Sequence, residues 1–186
     1  VPEHTSQQLH DDTTSGPTRV KENVKQYRDT VVLETINVTS LETNYDAARR
    51  RKADILCMQE HKVKVSDLQG MSKHFAETGF MLQCEPCDER AVRPNAGVGI
   101  AYRENITGVR IDPGDPRLRR AAELGRLAKD EVDMGWGENL RIYNLYGWSG
   151  RTKQTKTATE SIVEAILEVQ ESERPIPTII LGDFSE

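Results

Sequence analysis

The strongest constraint in this sequence is a spacing. Thr30–Val38 (TVVLETINV) is dominated by β-branched residues and reads as a strand. In the stretch that follows, Thr39 or Ser40 can cap a helix, and Leu41, Tyr45 and Ala48 recur at helical intervals. Arg49 to Lys52 suit its C-terminal end, where the helix dipole favours cations. The next run, ADILCMQE, is almost wholly apolar, as expected of a strand buried on both faces. Strand, helix and strand within about thirty residues form a βαβ unit, whose strands run parallel. Both strands then finish on one sheet edge, bringing Asn37 and Glu60 together where α/β proteins commonly hold ligands. Spacing alone leaves open a second reading, in which both are solvated strand-end residues.

Further along, GFMLQCE and NAGVGIAYREN read as strands, with Gly97 and Gly99 marking close packing or a bulge. ITGVRID is expected to pair with the second of these across a turn at Arg103–Asn105. Pro113 to Gly137 is irregular and charged, with one short helix carrying Arg117, Arg119, Arg120, Arg126 and Lys129. Such a row can touch phosphates, although a solvated helix face is its commoner use. ENLRIYNLYGW alternates, with Leu140, Ile142, Asn144 and Tyr146 on one face and Arg141, Tyr143 and Leu145 on the other. TATESIVEAILEVQES is the clearest helix, with Ala158, Ile162, Ile166 and Val169 in one stripe. Pro175 and Pro177 end it, and TIILGD is a final buried strand. No internal repeat is visible.

A chain of 186 residues suits one domain, and the polar stretch over residues 1–29 is expected to be a disordered arm. The formal charge of -5 excludes a global field that draws the protein onto nucleic acid, so polyanion binding needs a local basic patch or a metal ion. No run of about 18 apolar residues exists to span a membrane, and the N-terminus lacks a secretory pattern. An intracellular location, nuclear or cytoplasmic, is therefore expected, and the sequons at Asn37 and Asn105 are discounted. Cys57, Cys84 and Cys87 fit a reducing compartment, and the CxxC pair has neither a second pair nor a nearby His for a zinc site.

Asn37, Glu60 and Asp183 each follow an apolar strand, and each offers a hard oxygen ligand of the kind Mg2+ accepts. Phosphodiester cleavage needs such an ion to stabilise developing charge. INVTSL, ADILCMQEHKV, AGVGIAY, LYGW and IILGDFS, in that order, resemble the endonuclease/exonuclease/phosphatase superfamily over residues 30–186. The usual forms there include Asp-Ile-x-x-Leu-Gln-Glu and Gly-Asp-Phe-Asn. The resemblance implies an α/β fold, a partial four-layer sandwich of two packed β-sheets flanked by helices, with its C-terminal part missing. It further implies that Glu60 binds Mg2+ (Mn2+ as the alternative), with Asn37 beside it in the metal and phosphate site. Asp183 would orient or deprotonate the attacking water, and Tyr146 would hydrogen-bond the phosphate.

Departures are equally plain. Ser185 stands where a second Asn normally contacts the phosphate and is the phosphate-binding candidate in its place, and Thr39 and Ser40 replace the residues usual after Asn-Val. His61 follows the metal Glu and is expected to be a surface residue without a catalytic role. The superfamily also needs a distal Asp and a Ser-Asp-His, which these residues do not contain. The expected function is that of a Mg2+-dependent DNA endonuclease, retroelement-type or apurinic-type, inactive as this chain. A phosphatase or deadenylase of the same superfamily is the alternative, as is a non-catalytic binding module. The expected partner is nucleic acid, DNA before RNA, with self-association through exposed sheet surface and no membrane.

Overall fold

A computed structural model describes residues 30–90, 95–135, 137–150, 152–173 and 175–184; the expected arm over residues 1–29 and Ser185 lie outside them. The βαβ unit is present as β1 (Leu33–Asn37), α1 (Leu41–Arg49) and β2 (Ile55–Gln59). After β2 come α2 (Leu68–Ala76), β3 (Phe80–Glu85) and β4 (Val98–Arg103). The sheet they form has the order β1-β2-β4-β3, with β1 parallel to β2 and the other pairs antiparallel.

The second half continues with β5 (Thr107–Arg110), α3 (Pro116–Glu123), β6 (Leu127–Asp133), β7 (Asn139–Tyr146), α4 (Lys153–Ser172) and β8 (Thr178–Asp183). These strands make a second sheet in the order β5-β6-β7-β8, with β7 parallel to β8. A second βαβ unit, β7-α4-β8, thus mirrors the first. The expected pairing of ITGVRID with the preceding strand does not occur: β4 is enclosed by β2 and β3, and β5 crosses to the other sheet. Gly108 on β5 allows that crossing to pass close to β4, since a Cβ there would stand 2.3 Å from the Tyr102 ring.

Alternation along the strands sorts the core into three apolar zones. Leu56, Met58 and Ala101 face outward from the first sheet and pack with Leu41, Ala48 and Phe75 of α1 and α2. Ile55, Cys57, Val98, Ile100 and Tyr102 face inward and meet Ala128, Val132, Ile142 and Tyr146 of the second sheet. Tyr143 and Leu145 face outward again, against Leu118 of α3 and Ile162 and Ile166 of α4. The result is the helix–sheet–sheet–helix order expected of the sandwich.

Strand β6 is a correction to the reading of residues 113–137 as irregular with one charged helix. The helix ends at Glu123, and Arg126 and Lys129 are buried beyond it. Lys129 turns outward to Glu173 at 3.3 Å, whereas Asp130 turns inward and takes hydrogen bonds from Tyr102 and Arg110. Arg110 also pairs with Glu85, so a charged network runs from the buried Asp130 to two partly exposed partners between the sheets. No disulfide forms among the described residues, and burial pushes the Cys84 thiol up to about 12. Among the described residues, no helix is long and apolar enough to cross a membrane.

Candidate active site

The parallel pairs decide where the strand-end residues go. Asn37 is in register with Gln59, so β1 and β2 leave the first sheet together, and Glu60 follows one step later. Tyr146 is in register with Asp183, so β7 and β8 finish together as well. Asn37, Tyr146 and Asp183 share the parity of the inward-facing residues on their strands. The two sheets therefore deliver them to one end of the interface between them.

Contacts confirm the convergence. The Asn37 amide Nδ2 donates to Asp183 Oδ2 at 2.7 Å, joining the first sheet to the second. Asn37 Oδ1 accepts the Thr39 N–H at 2.9 Å. The Glu60 carboxylate lies 3.0 Å from Lys62 Nζ, and both side chains are partly exposed. Tyr146 is buried, and burial followed by the Glu60 carboxylate raises its phenol above the usual range, with Arg126 opposing and Asp183 adding to the rise. Tyr146 therefore remains a hydroxyl donor at neutral pH.

Backbone strain collects at the same end. Thr39 (φ 55), Glu60 (φ 58), Lys62 (φ 57) and Ala96 (φ 61) all hold left-handed conformations without being glycine. Each costs of order 1 kcal/mol and persists only where surrounding bonds fix it. Here Leu41 N–H donates to His61 O at 2.9 Å, His61 N–H to Gly97 O at 3.1 Å and Lys62 N–H to Ala96 O at 3.1 Å. This mesh holds Glu60 in place.

His61 is part of the mesh, which corrects the expectation of a surface residue. Only 1% of it is exposed, and its ring takes the space a Cβ on Gly97 would need, 2.6 Å from Cε1. Nδ1 accepts the Val63 N–H at 3.0 Å and Nε2 lies 3.0 Å from Glu85 O, so the proton sits on Nε2. Burial lowers its pKa to about 4, and the ring is neutral. Its signal in the sequence, a His beside a strand-end Glu, does not distinguish a buried brace from a surface ring.

Behind the site lies a second feature that the sequence places on the correct face without revealing its use. The Asn144 Nδ2 donates to the carbonyls of Met58 (3.0 Å) and Gly99 (2.9 Å), and its Oδ1 accepts from Gln59 Nε2 at 2.6 Å. Gln59 also donates to Thr35 Oγ1 at 2.9 Å. Asn144 thus ties β7 to β2 and β4 across the sheet interface, one turn of the pleat behind Tyr146. Four of the five sequence-nominated residues, Asn37, Glu60, Tyr146 and Asp183, are brought together; Ser185 lies outside the described residues.

The oxygen donors here suit a hard cation held by one or two protein ligands plus water, the usual arrangement for Mg2+. Among the described residues no group of three or more His, Cys, Asp or Glu is placed to hold a metal ion.

The architecture defines a class. The chain is similar to the AP endonuclease LMAP from Leishmania major, at 18% identity and TM-score 0.57, covering 82% of this chain and 54% of that one. It is similar to the 3'-5' exonuclease NExo from Neisseria meningitidis, at 21% identity and TM-score 0.59, covering 81% and 56%. The 2',3'-cyclic phosphatase ANGEL2 matches at 12% identity and TM-score 0.55, covering 84% and 53%. No family model and no curated protein sequence matches. The chain shares the fold of these solved nucleases and phosphatases, and it spans just over half of their length.

Proposed function

We propose that this chain carries a divalent-metal-dependent phosphodiesterase site acting on nucleic acid, with DNA as substrate and Mg2+ as the ion, Mn2+ being the alternative. The observation that carries this reading is the convergence of Asn37, Glu60, Tyr146 and Asp183 from four strands of two sheets. Glu60 is the carboxylate that would hold the ion, with Asn37 beside it. When bound, the ion would neutralise the phosphate and stabilise charge developing on its oxygens.

The protein's own residues do the rest of the work in this proposal. Asp183, oriented by the Asn37 amide, positions and deprotonates the attacking water. Tyr146, kept protonated, donates to a phosphate oxygen. Lys62, 3.0 Å from the Glu60 carboxylate, would give way to an ion held there and would leave its ammonium for the polyanion. A solved 3' phosphatase NExo is bound to a product DNA hairpin, which supports nucleic acid as the ligand class. Self-association through exposed sheet surface belongs to the same proposal.

The resemblance also implies an Asp and a Ser-Asp-His that these 186 residues lack, so binding is the readout of choice. Anisotropy of a fluorescent DNA duplex should show binding that strengthens with Mg2+ and weakens about tenfold with EDTA or Glu60→Ala. Any plasmid nicking should vanish in the same variant. Affinity indifferent to both metal and Glu60 would contradict the proposal.

A further inference from the structure

Arg126 is 7% exposed, and among the described residues no carboxylate lies within ion-pair distance of it. A buried guanidinium without a counter-ion is costly to maintain, so its surroundings are informative. Nη1 is anchored by two main-chain acceptors, Gly147 O at 2.7 Å and Tyr146 O at 3.3 Å. The guanidinium also packs against two rings, 5.1 Å from the Tyr146 centroid and 4.8 Å from that of Trp148. Its main chain is fixed as well, with Arg126 O accepting the Tyr146 N–H at 2.8 Å. The side chain is thus held rigidly beside the candidate active-site tyrosine.

What remains free is a defined edge. Nε and Nη2 have no acceptor among the described residues, yet neither is a sealed, unsatisfied atom, so both keep access to solvent. These two nitrogens form the fork that matches two oxygens of a phosphoryl group. Glu60 and Asp88 are close enough to act on Arg126 through space without pairing with it. A positive group this close to the candidate metal carboxylate, with its bidentate edge open, complements an anion in the same cleft.

We infer that Arg126 is an anion-binding residue of the candidate site, which presents its Nε and Nη2 edge to a phosphoryl group held beside Glu60 and Tyr146. The inference rests on the phosphodiesterase reading above and adds the residue that fixes the phosphoryl group's orientation. Trp148 and Tyr146 serve as the walls that keep the guanidinium plane from turning.

The test is binding of a fluorescent DNA duplex in Ca2+ by the full chain, its Arg126→Met variant and its Arg126→Lys variant, over a salt series. Arg126→Met should bind about tenfold more weakly, with the slope of log affinity against log salt reduced by about one phosphate contact. Arg126→Lys should restore the slope and only part of the affinity, because the charge returns without the fork. A folded Arg126→Met with unaltered affinity and slope overturns this inference alone, whereas an unaltered chain that never binds the duplex overturns the phosphodiesterase reading with it. Should Arg126→Met fail to fold, the Nε–H resonance of Arg126 in the unaltered chain decides. A shift on saturation with duplex supports the assignment, and no shift overturns it. A shift with inorganic phosphate at similar occupancy points to a free or terminal phosphate, and a shift with duplex alone points to the backbone diester; both support the assignment.

Discussion

Asn37 and Asp183, 146 residues apart in the chain, meet side chain to side chain at 2.7 Å across the gap between two β-sheets. Neither strand end could make this contact alone. It requires β1 to be parallel to β2, β7 to be parallel to β8, and the two sheets to pack with these edges superposed. The contact is therefore a sensitive report on the whole arrangement, and it fixes the orientation of the carboxylate proposed to act on water.

Asn144 should be the most costly polar side chain to lose. It satisfies two buried carbonyls and the Gln59 amide between the sheets. Asn144→Leu takes a donor from both carbonyls and leaves the Gln59 amide with Thr35 alone, and urea denaturation should show a loss of about 2–4 kcal/mol.

Gly182→Ala should damage fold and site together. Gly182 has φ +146, and a Cβ there would lie 1.8 Å from the carbonyl oxygen of Leu145, its register partner on β7. The strand must move away to accommodate it, carrying Asp183 with it. Thermal or urea unfolding should report a loss of about 2–4 kcal/mol.

These two residues show what a sequence of this kind reveals. The Gly-Asp pair after an apolar run is legible because strand ends and turn residues leave local signals, and so are Asn37, Glu60 and Tyr146. Strand β6 is not legible, because its centre reads Lys129-Asp130-Glu131 and charge masks the alternation. Those charges are tolerated only because Glu173, Arg110, Tyr102 and Arg141 reach them from distant parts of the chain. For the same reason Arg126 reads as part of a solvated helix face and His61 as a surface ring, although both are enclosed by residues that no local pattern identifies. Helix α2 escapes because Gly70 and the polar Gln69, Ser72, Lys73 and His74 weaken its apolar stripe.

Acid should weaken the fold through His61. Its native pKa of about 4 lies below the ordinary 6.5, so between these values the unfolded chain binds the proton that the native ring refuses. Stability then falls as pH drops from about 6.5 to 4, by about 3 kcal/mol in total for this group. Urea midpoints for the unaltered chain and for His61→Gln should converge as pH falls through that window, the variant being the less stable at pH 7.

The central claim is that residues from both sheets form one metal site around Glu60. Paramagnetic broadening by Mn2+, followed residue by residue in a nuclear magnetic resonance spectrum, tests it most directly and requires no turnover. The amide signals of Asn37, Glu60, Tyr146 and Asp183 should broaden first and together, and Glu60→Ala should abolish the effect while the remaining spectrum stays that of a folded protein. Broadening centred elsewhere, or broadening of these signals that persists unchanged in Glu60→Ala, would contradict the claim.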